Sequence, residues 1–233
     1  MKLTKRLEKI ASLVSADIKL ADIGTDHGYI PVYLLKEDKI KSAILADINK
    51  GPLNNAREEI KKMSLESKTD LRLGSGVSVL EANEVDEIII AGMGGVLISE
   101  IIEDGLEVCK SCKKLILQPM QAPEELRRYL LDNNFEILDE HMVNEDFRIY
   151  EIIEARYNPD YKIETEDIYL ELAKPLIDRK EPLMKAVILK KIKECESILE
   201  KISNNSGESI EARVKYLKLR KEKLENIIKS MED

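Results

Sequence analysis

The sequence predicts an α/β fold: a mostly parallel sheet with an antiparallel edge hairpin, followed by a C-terminal helical coiled-coil hairpin. Three observations carry this. Short apolar runs ending in glycine or a carboxylate alternate with helical periodicity through five strand–helix units. Two strand-like segments, 135–142 and 147–155, then follow one another with no helix between them. Beyond Tyr157-Asn158-Pro159 the pattern is helical throughout. A chain of 233 residues is long enough for one domain with an appendage, here a body over 1–158 and a helical domain over 159–233.

Composition narrows the class. An apolar share of 43% supports a core, and a charged share of 35% implies a long solvated helical surface. The net charge of −8 is unevenly spread: residues 1–159 hold 21 basic against 29 acidic side chains, whereas 185–229 hold 12 against 7. An acidic body argues against nonspecific nucleic-acid binding, while a basic tail leaves a phosphate-binding face open. Cys109, Cys112 and Cys195 are too few for a disulfide framework and point to a reducing cytoplasm. Charges interrupt the N-terminal apolar positions, so no signal peptide is expected, and no run of about 18 apolar residues suggests a membrane span.

In chain order, Leu3, Leu7, Ile10 and Leu13-Val14 mark a packing helix ahead of a strand at 19–23. A helix near 28–38 follows and tolerates Pro31 in its first turn, where no intrahelical donor is needed. The second strand, 42–47, ends at Asp47, and Asn49 with Gly51-Pro52 opens a helix to about Met63. The third, 69–73, is closed by Gly74-Ser75-Gly76. The fourth, 86–91, is almost wholly apolar, as a strand covered on both faces should be, and ends in Gly92-Met93-Gly94-Gly95 before a helix to about Glu103. The fifth is 114–119, with Pro123 opening the next helix. The edge strands are separated by the turn-like Asn144-Glu145-Asp146. Thr165 with Glu166 and Asp167 suggests a capped helix start. From Pro182 two amphipathic helices are joined by the polar stretch 203–207.

The stretch 20–31 concentrates the chemistry. A strand that stops at a glycine-broken, acid-bearing loop and turns into a helix presents ligands at the carboxyl edge of an open sheet. Gly24 permits close approach, and Asp47, roughly 20 residues on, is placed to accept from ribose hydroxyls. The spacing from Gly24 to Gly28 is G-x-x-x-G rather than the dinucleotide G-x-G-x-x-G, and Asp26 would repel a pyrophosphate. A carboxylate there suits an ammonium and a sulfonium, which favours S-adenosylmethionine. Acids and glycines also close strands in plain α/β scaffolds, so the pattern alone leaves a scaffold open.

The layout is that of the Rossmann-like class I methyltransferases. The motifs Ala21-Asp22-Ile23-Gly24-Thr25-Asp26-His27-Gly28-Tyr29-Ile30-Pro31, Ala91-Gly92-Met93-Gly94-Gly95, Leu115-Ile116-Leu117-Gln118-Pro119 and Tyr150-Glu151 resemble those of the bacterial tRNA (adenine-22-N1)-methyltransferases, the TrmK type. The resemblance covers essentially the whole chain. It implies a cytoplasmic enzyme that uses S-adenosylmethionine to methylate adenine N1 in the D-arm region of tRNA. It implies a methionine-moiety site at Gly24, Thr25, Asp26 and His27, with Asp22 before them, and a ribose site at Asp47 with Asn49 beside it. Ala91, Gly92, Met93 and Gly94 complete the cofactor loops. Gly74-Ser75-Gly76 stands where the family usually reads Gly-Asp-Gly, and Ser75 cannot supply a charged acceptor for the adenine amine.

For such a substrate, Asp26 is the candidate to stabilise the cationic product base, with the Gly92 and Met93 carbonyls and Gln118 as positioning groups and Tyr29 stacking on the adenine. A paired base must first be flipped out. His27 beside Asp26 invites a general-base reading, but no Ser or Cys accompanies it as a nucleophile. His141 reads as an ordinary strand histidine, and Cys109-Lys110-Ser111-Cys112 lacks the second pair a zinc site needs. Lys190, Lys191, Lys193, Arg213, Lys215, Lys218, Arg220, Lys221 and Lys223 offer a phosphate-gripping face or a plain solvated one, and Arg127, Arg128 and Arg148 are further RNA candidates. A monomer without metal or membrane contact is expected. The rival readings are the same fold acting on a protein or small molecule, and a noncatalytic module that binds through the hairpin.

Overall fold

Seven strands among the described residues form one sheet: β1 (Lys19–Ile23), β2 (Ser42–Asp47), β3 (Thr69–Leu73), β4 (Glu87–Met93), β5 (Lys114–Pro119), β6 (Phe135–Glu145) and β7 (Arg148–Tyr157). The computed structural model describes residues 2–202 and 208–232. The strand order is β3-β2-β1-β4-β5-β7-β6, with β1 to β5 mutually parallel and β7 antiparallel to both β5 and β6. Because β1 pairs with β2 on one side and β4 on the other, the chain reverses its winding there. The carboxyl ends of β1 and β4 are therefore the place where an open α/β sheet leaves a crevice.

Helices cover both faces, and the strand side chains alternate between them. Ala21 and Ile23 of β1, Ile88 and Ile90 of β4 and Leu115 and Leu117 of β5 pack with α4 (Gly95–Asp104), α5 (Leu106–Ser111) and α6 (Pro123–Asp132). Leu20, Leu45, Ile89 and Ile116 face the other way, onto α1 (Lys5–Leu13), α2 (Tyr29–Lys36) and α3 (Lys50–Lys62). That is why β4 reads as an unbroken apolar run: Ile88, Ile89 and Ile90 are each fully buried, on alternating sides.

Three local expectations are revised. The fourth strand runs on through Ala91 and Gly92 to Met93, with a register shift against β5 between Ala91 and Met93. The edge hairpin is longer than its turn residues suggest, since Asn144 pairs with Ile149 and Glu145 with Arg148, leaving Asp146 and Phe147 to make the turn. Arg127 is not an RNA contact, being 1% exposed. Its Nε donates to Glu140 at 2.7 Å, its Nη1 to the Leu170 carbonyl at 2.8 Å and its Nη2 to Glu151. Burial alone would lower its pKa, but Glu140 and Glu151 outweigh it and hold the guanidinium charged. The Leu170 contact ties α7 (Asp167–Glu171) to the body, and the first of two compact units accordingly spans Met1–Glu171.

The second unit, Leu172–Asp233, contains α8 (Lys174–Asp178), α9 (Pro182–Ile202) and α10 (Glu208–Glu232). Among the described residues its buried side chains are Leu172, Ala173, and Leu176 and Ile177 of α8, Met184, Ile188, Ile192 and Cys195 of α9, and Leu217, Leu224, Ile227 and Met231 of α10. Lys185 meets Glu232 at 2.6 Å and Lys221 meets Glu196 at 2.7 Å, so the start of α9 lies by the end of α10 and the two run antiparallel. The expected turn at 203–207 lies outside the described residues. No helix among the described residues is long and apolar enough to cross a membrane.

Removing Arg127 strands two carboxylates in a low-dielectric interior, whereas Arg128 is half-exposed and pairs loosely with Asp167 at 3.4 Å. Urea unfolding is expected to show Arg127→Ala losing about 3–5 kcal/mol and Arg128→Ala less than about 1 kcal/mol.

Candidate active site

Strand β1 ends in a loop that the backbone of β2 holds in place. The Gly24 and Thr25 amides both donate to the Ala46 carbonyl, at 2.8 and 3.0 Å. Thr25 Oγ1 in turn accepts from the Gly28 amide at 3.1 Å, closing the turn before α2. Gly24 and Gly28 have φ of +76° and +66°, a region that penalises any Cβ. At Gly28 a Cβ would also lie 2.6 Å from Leu45 Cδ2. The first two glycines of the motif are therefore demanded by the turn itself.

A cavity of about 320 Å³ opens beside this loop, lined by Arg6, Leu7, Asp22, Gly24–Ile30, Ala91 and Gly92. It gathers Asp22, Gly24, Thr25, Asp26, His27, Tyr29, Ala91 and Gly92 of the expected site residues. Asp22 is only 8% exposed. Burial pushes its carboxyl up to about 6, against a smaller lowering effect from its hydrogen bond with Thr25. Asp26 is exposed and lies 3.6 Å from His27 Nε2, and the His27 ring stacks on Tyr29 with centroids 4.9 Å apart and planes 4° from parallel.

The other expected residues stand on neighbouring strand ends, outside this cavity. Asp47 accepts through Oδ1 from the Asn49 amide at 2.6 Å, and its carbonyl accepts from the Gly74 amide at 3.1 Å, which joins the loops after β2 and β3. Ser75 is exposed and its carbonyl accepts from the Ser78 hydroxyl at 2.5 Å, while Gly76 has φ +53°. Met93 packs its methyl over Gly24, and Gly94 precedes α4. Gln118 has no exposed surface: its Oε1 accepts from Arg6 and its Nε2 donates to the Pro119 carbonyl.

Arg6 and Leu7 were missed by sequence reasoning, which took that helix for its apolar positions alone. No spacing rule marks Arg6, because its neighbours Gln118 and Tyr150 come from distant strands. The remaining candidates have structural roles. His141 Nε2 sits 2.7 Å from Glu154, and with Asp139 it forms a potential ligand group, but Lys114 Nζ already meets Glu154 at 3.0 Å. Cys109 and Cys112 are buried with their thiols pushed up to about 12 by desolvation, which makes them poor ligands and nucleophiles.

The cavity's chemistry fits a cationic cofactor. A buried carboxylate that resists ionisation is stabilised in its charged form by a nearby ammonium or sulfonium, and the close-approach glycine loop supplies backbone rather than bulk.

Between about pH 4 and 6 the folded protein retains a proton on Asp22 that the unfolded chain has lost. Stability therefore falls as pH rises through that window, by up to about 3 kcal/mol. In urea unfolding without ligand, Asp22→Asn is expected to exceed the wild type by up to that amount, about 3 kcal/mol, at pH 7.5 and to match it at pH 4.

A methyltransferase-domain family model matches residues 3–153. The tRNA (adenine(22)-N(1))-methyltransferase of Bacillus subtilis (strain 168) is 34% identical over 98% of both chains. Among solved structures, the B. subtilis m1A22 tRNA methyltransferase TrmK superposes with a TM-score of 0.86 at 31% identity, covering 97% of this chain and 99% of that one. TrmK of M. capricolum, solved with the cofactor product S-adenosyl-homocysteine, gives 0.83 at 26% identity over 99% of this chain and all of the other. With strand order, glycine loops and near full-length similarity in agreement, this chain belongs to the tRNA (adenine(22)-N(1))-methyltransferase family.

Proposed function

We propose that this protein transfers the methyl group of S-adenosylmethionine to N1 of an adenine in tRNA, at position 22. The observation that carries this reading is similarity over 98% of both chains to an enzyme of that specificity. The rival readings, a protein or small-molecule substrate and a noncatalytic module, have no comparable support.

The cofactor supplies an electrophilic methyl on a sulfonium. The protein's task is to align it with the in-plane lone pair of adenine N1, since alignment alone can supply much of the acceleration. Asp22 and the loop Gly24–His27 hold the methionine end, and Asp47, with Asn49, accepts from the ribose. Gly74, Ser75 and Gly76 flank the adenine of the cofactor. Ser75 there offers only a neutral hydrogen bond. Tyr29, its ring already set parallel to His27, extends that stack to the flipped base. Asp26, exposed at the cavity, stabilises the positive charge that develops on the adenine, assisted by the backbone carbonyls of Gly92 and Met93. Lys193, Arg213, Lys215 and Lys218 are exposed on the helical unit and serve the phosphates, while the acidic body limits nonspecific contact. A cytoplasmic monomer that works without metal belongs to the same reading: displacement at a sulfonium needs no Lewis acid, and three buried free thiols suit a reducing compartment.

Mass-spectrometric mapping of tRNA incubated with protein and cofactor is expected to find one new methyl, on N1 of A22, and none when position 22 is guanine. Methyl on another nucleotide, or none, would refute the assignment. Asp47→Ala should raise the cofactor Kd about 10- to 100-fold with less effect on kcat. Asp26→Asn should do the reverse, lowering kcat by about 10-fold or more at nearly constant cofactor Kd. Changing Lys215 and Lys218 to Glu should raise the tRNA KM and flatten its salt dependence, whereas a protein-directed enzyme would show neither.

A further inference from the structure

We infer that Arg6 is the anchor for the carboxylate of the cofactor's amino-acid end, an assignment that rests on the cofactor reading above. Arg6 lies in the first turn of α1, and its own amide is tied to Glu145 at the end of β6, at 2.9 Å. Its Nη1 donates to Gln118 Oε1 at 2.6 Å, and its guanidinium sits over the Tyr150 ring, 5.3 Å from the centroid. Gln118 is itself locked: it is fully buried, and its amide nitrogen donates to the Pro119 carbonyl at 2.8 Å, which leaves the oxygen for Arg6. The fork is thus oriented from β5 and β7 before any ligand arrives, and little side-chain freedom remains to be lost on binding.

Arg6 Nε is buried without a hydrogen-bond partner among the described residues. A guanidinium N–H left in that state is costly, which points to an acceptor that completes it. The same cavity wall contains Asp22. One buried carboxylate and one preoriented guanidinium in a single cavity of about 320 Å³ complement a zwitterion, an ammonium and a carboxylate borne by the same carbon. The amino-acid end of S-adenosylmethionine has that form. The target adenine does not suit Arg6, because it becomes cationic on methylation and a neighbouring guanidinium would oppose the developing charge.

Isothermal titration of S-adenosylmethionine and decarboxylated S-adenosylmethionine into wild type, Arg6→Met and Arg6→Lys tests the assignment. Wild type should bind the carboxylated form about 10- to 100-fold more tightly than the decarboxylated one, the ratio expected of a charge-assisted contact. Arg6→Met should abolish most of that ratio by weakening only the carboxylated ligand, and Arg6→Lys should restore part of it. Equal weakening of both ligands would mean a structural role and would overturn the proposal. Unchanged cofactor binding with a raised tRNA KM would overturn it in favour of a phosphate contact. Should Arg6→Met fail to fold, a wild-type ratio near one, or a full ratio in Arg6→Lys, would count against it, and a wild-type ratio reduced in Arg6→Lys would support it. Binding of neither compound by a folded wild type would remove the cofactor reading itself.

Discussion

Asp22 is a carboxylate with 8% of its surface exposed, placed near the carboxyl end of the strand where the winding of the sheet reverses. Burying its charged form costs stability, a cost that a proton relieves below about pH 6 and that a nearby cation would also offset. The Gly24 and Thr25 amides are spent on the Ala46 carbonyl of β2, and Thr25 closes the turn into α2. The loop is therefore rigid and anionic before it meets a ligand. A doubly wound sheet leaves a crevice at this point on topological grounds, and Asp22 lines it.

The rest of the molecule divides charge between its two units. The body is acidic and keeps Arg127, the one deeply buried cation among its described residues, matched by Glu140 and Glu151, so that this arginine fixes the edge hairpin against α6 instead of meeting RNA. The helical unit presents Arg213, Lys215 and Lys218 to solvent. Such a division limits nonspecific adhesion by the catalytic unit and leaves a basic surface on the appendage, consistent with a tRNA substrate whose phosphates dominate affinity and whose target base must be unstacked.

Much of this was legible in the sequence, for definite reasons. β1, β2, β3 and β5 end where apolar runs meet glycine, proline or a carboxylate, because those residues stop strands by their own backbone and side-chain chemistry. The two glycines of the G-x-x-x-G loop were legible because the turn itself requires them, Gly24 and Gly28 having φ of +76° and +66°. The continuation of β4 through Gly92 was hidden, since glycine reads as a breaker while the pairing of Met93 with Pro119 is a tertiary fact. The hairpin likewise extends through turn-prone Asn144 and Glu145 because the ladder with β7 overrides their local preference. Arg127 and Arg128 look alike in sequence; only the packing of α6 buries one and exposes the other. Arg6 left no local signal at all, as Gln118 and Tyr150 reach it from strands more than a hundred residues away.

We propose that the cavity is a preformed anionic site for the cationic end of S-adenosylmethionine, with Asp22 at its base. The most direct test is the pH dependence of cofactor affinity in wild type and Asp22→Asn, with His27 and Asp26 present in both. Binding should pull the Asp22 proton off, so wild-type affinity should weaken by up to about tenfold for each pH step of one below about 6, while the variant binds more weakly at pH 7 and loses that dependence. Equal affinity of the two proteins at pH 7, with the same pH profile, would contradict it.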